Sequence, residues 1–264
     1  MQLIDSHCHL KSFLDKENLD EILSRGRENG INKLITVGTN SQDWECYKNL
    51  SELYDKVIYY TVGLHPCYVS ETWINEVDQI ATFWSSAQKP KALGEIGLDY
   101  FRLPQNSTKA SSNRTLQQKC FESQLKIAVD LGCPVVIHSR HAFDDCVSII
   151  NESGIDWSKV IFHCFSEGPK EAERLLKLGG KASFTGLITY EANGVLNQSL
   201  KIMGKNNLIL ETDSPYLTPI PLRGKRNEPS NIKYTAIKAA QILNLSLEEV
   251  SDFSVTNTID FFGL

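Results

Sequence analysis

The stretch Leu3-Ile4-Asp5-Ser6-His7-Cys8 is the first of eight short, largely apolar runs in the sequence. The other runs occupy residues 33–37, 57–62, 92–96, 134–137, 160–162, 182–184 and 208–210. Several of them are apolar almost throughout, which is typical of parallel strands that are covered by helices. Segments with the apolar spacing of amphipathic helices lie between the runs. Eight strand–helix units in about 250 residues predict a (β/α)8 TIM barrel.

A doubly wound open sheet is the alternative fold, and the lack of a glycine-rich nucleotide-binding motif disfavours it. Among the helix signals, Ser41 is the expected N-cap of one helix, and the apolar residues of segment 74–84 predict another. Gly179 is an expected helix stop, and the segment 246–249 has the form of a capping box.

The sequence has no internal linker and no low-complexity segment, so we expect residues 1–264 to form a single domain. Two long polar segments, 102–114 and 218–230, are expected to be loops. Both follow strands, so both should lie over the C-terminal end of the barrel, where barrel enzymes carry their active sites.

The composition excludes several classes of protein. Lysine and arginine number 27 against 32 aspartates and glutamates, and the formal net charge of −5 excludes a bulk electrostatic grip on nucleic acid or an anionic membrane. No stretch reaches the roughly 18 consecutive apolar residues of a membrane span, and the N-terminus lacks the pattern of a secretory signal. Seven scattered cysteines without a CxxC motif favour a reduced, cytoplasmic protein.

The histidines are the most informative residues. Five of the six stand at the C-terminal end of a predicted strand, namely His7, His9, His65, His138 and His163. Carboxylates follow the same rule: Glu95 and Asp99 at strand four, Glu211 and Asp213 at strand eight. One histidine at a strand end is more often a surface or hydrogen-bonded residue than a ligand. Five at one end of one barrel predict a metal site.

The number of ligands predicts two ions. Imidazole and carboxylate together suit Zn²⁺, Mn²⁺ or Mg²⁺. The donors His7, His9, His138, His163, Glu95 and Asp213 are more than one tetrahedral ion uses. Glu95, on strand four between the two groups, is the natural shared ligand. Two ions about 3.5–4 Å apart can activate water and clamp both oxygens of a displacement at phosphorus.

Several motifs together resemble the TatD family of metal-dependent deoxyribonucleases. They are Asp5-Ser6-His7-Cys8-His9, Gly63-Leu64-His65-Pro66, Gly94-Glu95-Ile96-Gly97-Leu98-Asp99-Tyr100, Ile137-His138-Ser139-Arg140, His163-Cys164-Phe165-Ser166, Glu211-Thr212-Asp213-Ser214-Pro215-Tyr216-Leu217 and Arg223-Gly224-Lys225-Arg226-Asn227-Glu228-Pro229. The HxH pair alone is weak evidence, because many hydrolase barrels begin with it, whereas the ordered set is highly specific.

The resemblance implies a (β/α)8 fold and divalent-metal hydrolysis of phosphodiesters, as a DNase or 3′–5′ exonuclease. By position, His7, His9 and Asp213 would hold one ion, His138 and His163 the second, and Glu95 would bridge them. The substrate would be DNA, or RNA, and we expect a cytoplasmic monomer with no membrane attachment.

Two residues are candidates for catalysis. We hypothesise that Asp213 binds metal and takes the proton of the attacking water. His65 has two functional interpretations: a hydrogen bond to the scissile phosphate, or protonation of the leaving oxygen. The structural alternative for His65 is support of a neighbouring ligand, since His-Pro also makes a stiff turn.

Two arginines are candidates for binding substrate. Arg140 lies two residues past His138 and can contact phosphate, or it can pair with Glu95 or Asp99. Arg223 begins a basic run after strand eight, which contacts the phosphate backbone or is simply solvated. Glu211 orients a ligand histidine or pairs with an arginine. Cys8 and Cys164 are expected to pack against helices.

Two functions compete with the nuclease. One is hydrolysis of another ester, such as a small phosphodiester or an aminoacyl ester on tRNA, because the fold does not determine the substrate. The other is a metal-binding adaptor without activity. A complete ligand set beside a candidate base disfavours the adaptor.

Overall fold

The strands agree with the predicted runs. The computed structural model describes residues 1–14, 19–190 and 194–264. Its strands are β1 (Leu3–Cys8), β2 (Ile31–Thr36), β3 (Ile58–Val62), β4 (Ala92–Asp99), β5 (Val135–Arg140), β6 (Val160–Phe162), β7 (Lys181–Phe184) and β8 (Leu208–Leu210). Strands β4 and β5 extend beyond the predicted runs, to Asp99 and Arg140, and carry their polar C-terminal residues within the ladder.

The eight strands form one parallel sheet in sequence order from β1 to β8. Cys8 of β1 makes an isolated parallel bridge with Ser214, four residues after the end of β8. This bridge brings the last strand back to the first, so the sheet is a nearly closed barrel. The predicted (β/α)8 TIM barrel is confirmed, and the open doubly wound sheet is excluded.

Helices connect the strands. They are α1 (Lys11–Leu14), α2 (Leu19–Glu28), α3 (Ser41–Leu53), α4 (Ile74–Val77), α5 (Ser107–Leu131), α6 (Phe143–Ser153), α7 (Pro169–Leu178), α8 (Val195–Met203), α9 (Ile232–Leu243) and α10 (Leu247–Phe262). The stop at Gly179 is confirmed, since its φ of 93° ends α7 in the left-handed conformation. The capping box of Ser246 and Glu249 at the start of α10 is also confirmed.

Three local expectations were wrong. The N-cap of α3 is Asn40, whose side chain accepts from the Gln42 amide, and Ser41 is the first helical residue. The segment 74–84 is not one helix but the short α4 followed by a 3₁₀ turn, Ile80–Ser85. The expected loop 102–114 is helical from Ser107 onward, because Asn106 caps α5 through the Lys109 amide.

The barrel is filled by an apolar layer directly below the polar one. Residues of this layer are Ile35, Val37, Ala92, Val136, Ile161 and Ile209, which pack with Phe261 and Phe262 of α10. Three of these residues stand two positions before a polar residue of the predicted site. The pairs are Val136 and His138, Ile161 and His163, and Ile209 and Glu211. Residues two apart on a strand face the same side. The polar end therefore stands on a packed floor rather than over an open channel.

Within residues 1–14, 19–190 and 194–264, none of the helices combines the length and apolar character needed to cross a bilayer.

Candidate metal centre

Seven donor side chains meet at the C-terminal end of the barrel. His7 lies in β1, Glu95 in β4 and His138 in β5, whereas His9, His65, His163 and Asp213 follow β1, β3, β6 and β8. Links of 2.7 to 3.7 Å between histidine nitrogens and carboxylate oxygens connect all seven. Every member of the metal-ligand set predicted from the sequence belongs to this group, together with His65.

The backbone after β8 holds Asp213 in place. Its amide donates to the His7 carbonyl at 2.9 Å, and its φ of 54° turns the chain in a way that aspartate tolerates better than most residues. The preceding Thr212 is fixed by the buried Asp5, which accepts from the Thr212 amide at 2.9 Å and from its hydroxyl at 2.5 Å. The first and last strands are thereby tied together at the site.

Glu95 divides the group in two. Its Oε1 lies 2.7 Å from His138 Nδ1, 2.8 Å from His163 Nε2 and 3.3 Å from His65 Nε2. We call Glu95 Oε1 and these three histidines the Oε1 side. All three rings therefore direct one nitrogen to the same carboxylate oxygen.

The other oxygen of Glu95 faces different partners. His7 Nε2 lies 3.4 Å from Glu95 Oε2 and 3.7 Å from Asp213 Oδ1, and His9 Nε2 lies 3.3 Å from Asp213 Oδ1. We call Glu95 Oε2 with His7, His9 and Asp213 the Oε2 side. The predicted bridging residue thus stands between the two predicted ligand groups.

Further carboxylates orient the histidines of the Oε1 side. Asp99 Oδ2 lies 3.2 Å from His138 Nε2, and Glu211 Oε1 lies 3.4 Å from His163 Nδ1. Glu211 also accepts from the Ser183 hydroxyl at 2.6 Å, so it stands with the histidine rather than with an arginine. Carboxylates behind metal-binding histidines fix their tautomer and orientation.

Glycine allows β4 to approach its neighbour closely at this point. Gly97 has a φ of 136°, and a Cβ there would meet the His138 carbonyl oxygen at 2.1 Å. A Cβ on Gly94 would lie 2.6 Å from the Val136 side chain. The two glycines flank Glu95 in sequence, and they let its strand lie against the one that carries His138.

Electrostatics keep the central carboxylates ionised. Burial alone raises the pKa of Glu95, but His163, His65 and His138 outweigh it and hold the pKa well below its usual value. For Asp213, the hydrogen bond from His9 and the nearby histidines likewise lower the pKa against the effect of burial. Asp5 behaves in the opposite way, because burial raises its pKa to about 8.

The residues fit divalent ions. His7 is fully buried, and both its ring nitrogens lack a hydrogen-bond partner among the described residues. A buried polar atom without a partner is costly, and a cation between His7, Glu95 and Asp213 would satisfy it. Donor atoms close enough to share an ion occur on both sides: His7, His9 and Glu95 on one, His65, Glu95 and His138 on the other. Nitrogen and carboxylate donors together suit zinc, manganese or magnesium.

The centre lies in a cavity of about 760 Å³. His65 lines this cavity, and its Nδ1 accepts from the Cys67 amide at 3.0 Å. Burial lowers the pKa of His65 to about 4, so the neutral ring carries its proton on Nε2, which faces Glu95. This environment combines the two expectations for His65, since the ring both contacts a ligand and faces the cavity.

The two predicted substrate-binding arginines have different positions. Arg140 lines the cavity, and its guanidinium lies 3.9 Å from the centre of the Phe101 ring. Within the described residues it makes no ion pair with Glu95 or Asp99, the partners considered from the sequence. Arg223 is outside the cavity lining and stacks on Tyr190 at 4.5 Å.

Sequence reasoning missed several residues of the site. Asp99 is not among the predicted ligands, although it stands four residues after Glu95 and so on the same face of β4. Cys67 also lines the cavity, with its Sγ 3.6 Å from Asp99 Oδ2. The expectation for Cys164 was wrong, because a φ of 45° turns this residue toward the cavity. Cys8 is buried in the core as expected.

Comparison with known proteins agrees with this geometry. The sequence profile of the family described as TatD related DNase matches residues 4–263. The chain belongs to this family. It is therefore a metal-dependent hydrolase of the TatD family, and the resemblance found in the sequence motifs is confirmed.

Relatives cover the whole chain. The sequence is 30% identical over 268 residues to the metal-dependent hydrolase YabD of Bacillus subtilis, with 99% of each chain covered. It is also 30% identical over 269 residues to the metal-dependent hydrolase YcfH of Escherichia coli, covering 100% of this chain and 97% of the relative. The crystal structure of the TatD homologue YjjV of Escherichia coli superimposes with a TM-score of 0.88 at 26% identity, covering 99% of this chain and 98% of that one.

Proposed function

We propose that this TatD family member hydrolyses phosphodiester bonds of nucleic acid, with DNA as substrate and release of nucleotides from the 3′ end. The observation that carries the proposal is Glu95, whose two oxygens face two separate groups of histidines in an open cavity. A pair of ions sharing one carboxylate suits displacement at phosphorus. The DNase description of the family supports nucleic acid over other esters.

We propose two divalent ions, zinc, magnesium or manganese. His7, His9 and Asp213 are the ligands of one ion, His138 and His163 those of the other, and Glu95 is shared. When bound, the ions would lower the pKa of a water molecule and offset negative charge on the phosphate.

Asp213 and His65 take the roles of proton acceptor and hydrogen-bond donor. Asp213 is a carboxylate whose side chain is 14% exposed on the cavity, so it can receive the proton of the attacking water. His65 lines the same cavity, and its Nε2–H, which lies 3.3 Å from Glu95 Oε1, is the donor we propose for an oxygen of the phosphate. Its low pKa, about 4, favours this hydrogen bond over protonation of the leaving oxygen.

Arginines supply local positive charge near the centre, although the net charge of the whole chain is −5. We propose that Arg140 contacts a phosphate of the substrate from the cavity wall. Arg223 contacts the phosphate backbone of the nucleic acid outside the cavity. The single domain over residues 1–264, the monomeric state and the cytoplasmic location are predictions of the sequence that accompany this proposal.

Digestion of a 5′-labelled single-stranded oligonucleotide in Mg²⁺, Mn²⁺ or Zn²⁺, with an EDTA control, tests the function. We expect a ladder of products shortened from the 3′ end, which EDTA abolishes. Absence of cleavage with every ion, alongside hydrolysis of a small phosphodiester or an aminoacyl-tRNA, would transfer the proposal to those esters.

Replacement of Asp213 tests its role. Asp213→Asn should lower kcat by about a hundred-fold or more, because general-base catalysis contributes typically 10²–10⁴-fold. Circular dichroism should show an intact fold, and Asp252→Asn, at an exposed position of α10, is the matched control. Near-normal turnover of Asp213→Asn would remove Asp213 from this role.

A further inference from the structure

Exposed aromatic side chains occur at one end of the barrel. Among the phenylalanine, tyrosine and tryptophan residues that the structure describes, the exposed ones are Tyr68, Phe101 and Tyr216, with 54%, 56% and 61% of their surface accessible. Each follows a strand: β3, β4 and β8 respectively. All three therefore stand at the end that carries the metal centre, and the other described phenylalanine, tyrosine and tryptophan rings are buried or half-buried.

Two of these rings lie next to histidines of the centre, one on the Oε1 side and one on the Oε2 side. Tyr68 ends the 3₁₀ turn Pro66–Tyr68, and its ring centre lies 6.1 Å from that of His65 on the Oε1 side. Tyr216 lies 6.1 Å, centre to centre, from His9 on the Oε2 side. Both tyrosines line the cavity. A phosphate held at the metal centre would therefore have one exposed ring on each side.

The backbone fixes the position of Tyr216 although its ring is exposed. Its amide donates to the Asp213 carbonyl at 2.9 Å, and its carbonyl accepts from the Asn227 side chain at 2.6 Å. Asn227 is fully buried and also donates to the Thr212 carbonyl at 3.1 Å. An exposed ring on a well-anchored backbone is suited to stack on a ligand, because little backbone entropy is lost on binding.

Cationic groups lie near the rings. Arg102 lines the cavity 3.7 Å from the Sγ of Cys67, the residue before Tyr68, and Arg140 lines it while stacking on Phe101 at 3.9 Å. Lys11 lines the cavity as well. Proteins that bind single-stranded nucleic acid combine positive charge along the backbone with aromatic rings on which successive bases stack. Lys11 pairs with Asp43 at 3.1 Å and Arg102 approaches Asp99 at 3.9 Å. Arg140 makes no ion pair within the described residues, so it is the cation that an anionic partner would serve most.

We propose that Tyr68 and Tyr216 stack on the two bases that flank the scissile phosphate of a single strand, and that Phe101 stacks on the next base. This inference rests on the proposed function and adds the residues that select a splayed single strand. Base faces inside a duplex are covered by their neighbours and cannot reach these rings. Stacking on a ring does not depend on which base is present, so we expect little sequence preference.

Binding measurements test the inference independently of cleavage. The probe is a fluorescent single-stranded oligonucleotide with phosphorothioate linkages, and its anisotropy is compared with that of a matched probe whose three 3′-terminal nucleotides are abasic. For the unmodified probe, Tyr68→Ala and Tyr216→Ala should each raise the dissociation constant about ten-fold. Tyr216→Trp should restore binding. Leu53→Ala, at a 72% exposed position of α3, is the control and should bind as the wild type does.

The abasic probe separates stacking from other roles. If the rings stack on bases, the wild type should bind the abasic probe more weakly, and the two alanine variants should lose little further affinity for it. Equal affinity of the wild type for both probes would overturn the inference, as would alanine variants that bind the unmodified probe normally. Ring-dependent binding without cleavage of a normal oligonucleotide would support the inference and overturn the proposed function instead. Cleavage of a normal oligonucleotide, with unaltered binding in both alanine variants, would support the proposed function and overturn the inference about stacking.

Discussion

His138 on the Oε1 side of Glu95 and His7 on the Oε2 side differ in the hydrogen bonds that the protein itself provides to their rings. On the Oε1 side, His138 contacts a carboxylate through each ring nitrogen, Glu95 at 2.7 Å and Asp99 at 3.2 Å. On the Oε2 side, His7 is more deeply buried, with 1% of its side chain exposed against 17% for His138, yet both its nitrogens lack a hydrogen-bond partner among the described residues. His138 is thus held by the protein's own hydrogen bonds, whereas His7 depends more on a cation.

The pKa values of His163 and His7 show a similar contrast. The pKa of His9, which is raised, and that of His65, which is lowered, do not follow the two sides. Burial lowers the pKa of His163, but Glu95 and Glu211 outweigh it and the pKa stands well above its usual value. For His7, burial and the neighbouring His163 prevail, and the pKa is lowered. Without ions, protons on His138, His163 and His9 therefore compensate the neighbouring carboxylates, whereas His7 stays neutral. Metal binding has to displace these protons.

The largest effect should come from Glu95, which belongs to both sides. Glu95→Gln removes the shared charge, and we expect kcat to fall by about a thousand-fold or more, since loss of groups behind a metal ligand alone costs about 10–100-fold. Metal content measured by mass spectrometry should fall in parallel. Glu52→Gln, on the exposed face of α3, is the control. Retention of two ions and of turnover would exclude Glu95 as the shared ligand.

Replacing one histidine from each side with leucine should separate the sides by stability. In EDTA, His138→Leu should lower the free energy of unfolding by about 2 kcal/mol or more, because it leaves the Asp99 and Glu95 carboxylates with fewer partners. His7→Leu should cost less than about 1 kcal/mol or stabilise the protein, because it removes buried polar atoms that have no partner.

With metal present, we expect His7→Leu to be clearly less stable than the wild type. An ion at 100 times its dissociation constant stabilises the wild type by about 2.7 kcal/mol, and His7→Leu should lose most of that gain at its site. Urea unfolding with and without ions measures both effects. A large loss of stability for His7→Leu in EDTA would contradict this expectation. It would mean that His7 stabilises the fold by packing or hydrogen bonds even without metal.

The carboxylate behind His138 should have a smaller effect than the ligands themselves. Asp99→Asn keeps the shape but replaces an acceptor whose pKa is lowered to about 2, by the hydrogen bond of His138 against the effect of burial. We expect metal affinity on the Oε1 side to fall about 10–100-fold, with the Oε2 side little changed. Isothermal titration with a chelator competitor resolves the two affinities. A uniform loss at both sides would contradict the division.

Much of the barrel could be predicted because its strands are buried on both faces. Such strands are short apolar runs, and a polar residue at the end of a run marks the C-terminal end of the barrel. The start of α5 could not be found in this way. The helical residues from Ser107 to Arg114 are mostly exposed, so they carry no apolar stripe, and the sequence there looks like a loop.

The site could be predicted as a set of ligands but not as a set of contacts. His7, Glu95 and Asp213 were identifiable because their residue types and strand-end positions suit a metal. The partnership of Asp99 with His138 depends on the register between β4 and β5, in which Asp99 pairs with Arg140. A single sequence contains the alternation within a strand but not the register between two strands.

The smallest expected effect concerns the two arginines, which extend the comparison from the centre to its surroundings. Arg140→Ala should raise KM about ten-fold with kcat little changed, because a charged hydrogen bond to phosphate from the cavity wall contributes about 1.5–3 kcal/mol. Arg223 stands outside the cavity lining on Tyr190, so Arg223→Ala should raise KM less than about five-fold, with the difference vanishing in high salt. Oligonucleotide digestion across a range of salt concentrations measures both. If Arg223→Ala has the larger effect, the nucleic-acid substrate crosses the loop after β8 before it reaches the metal centre. Arg140 then serves mainly to pack on Phe101.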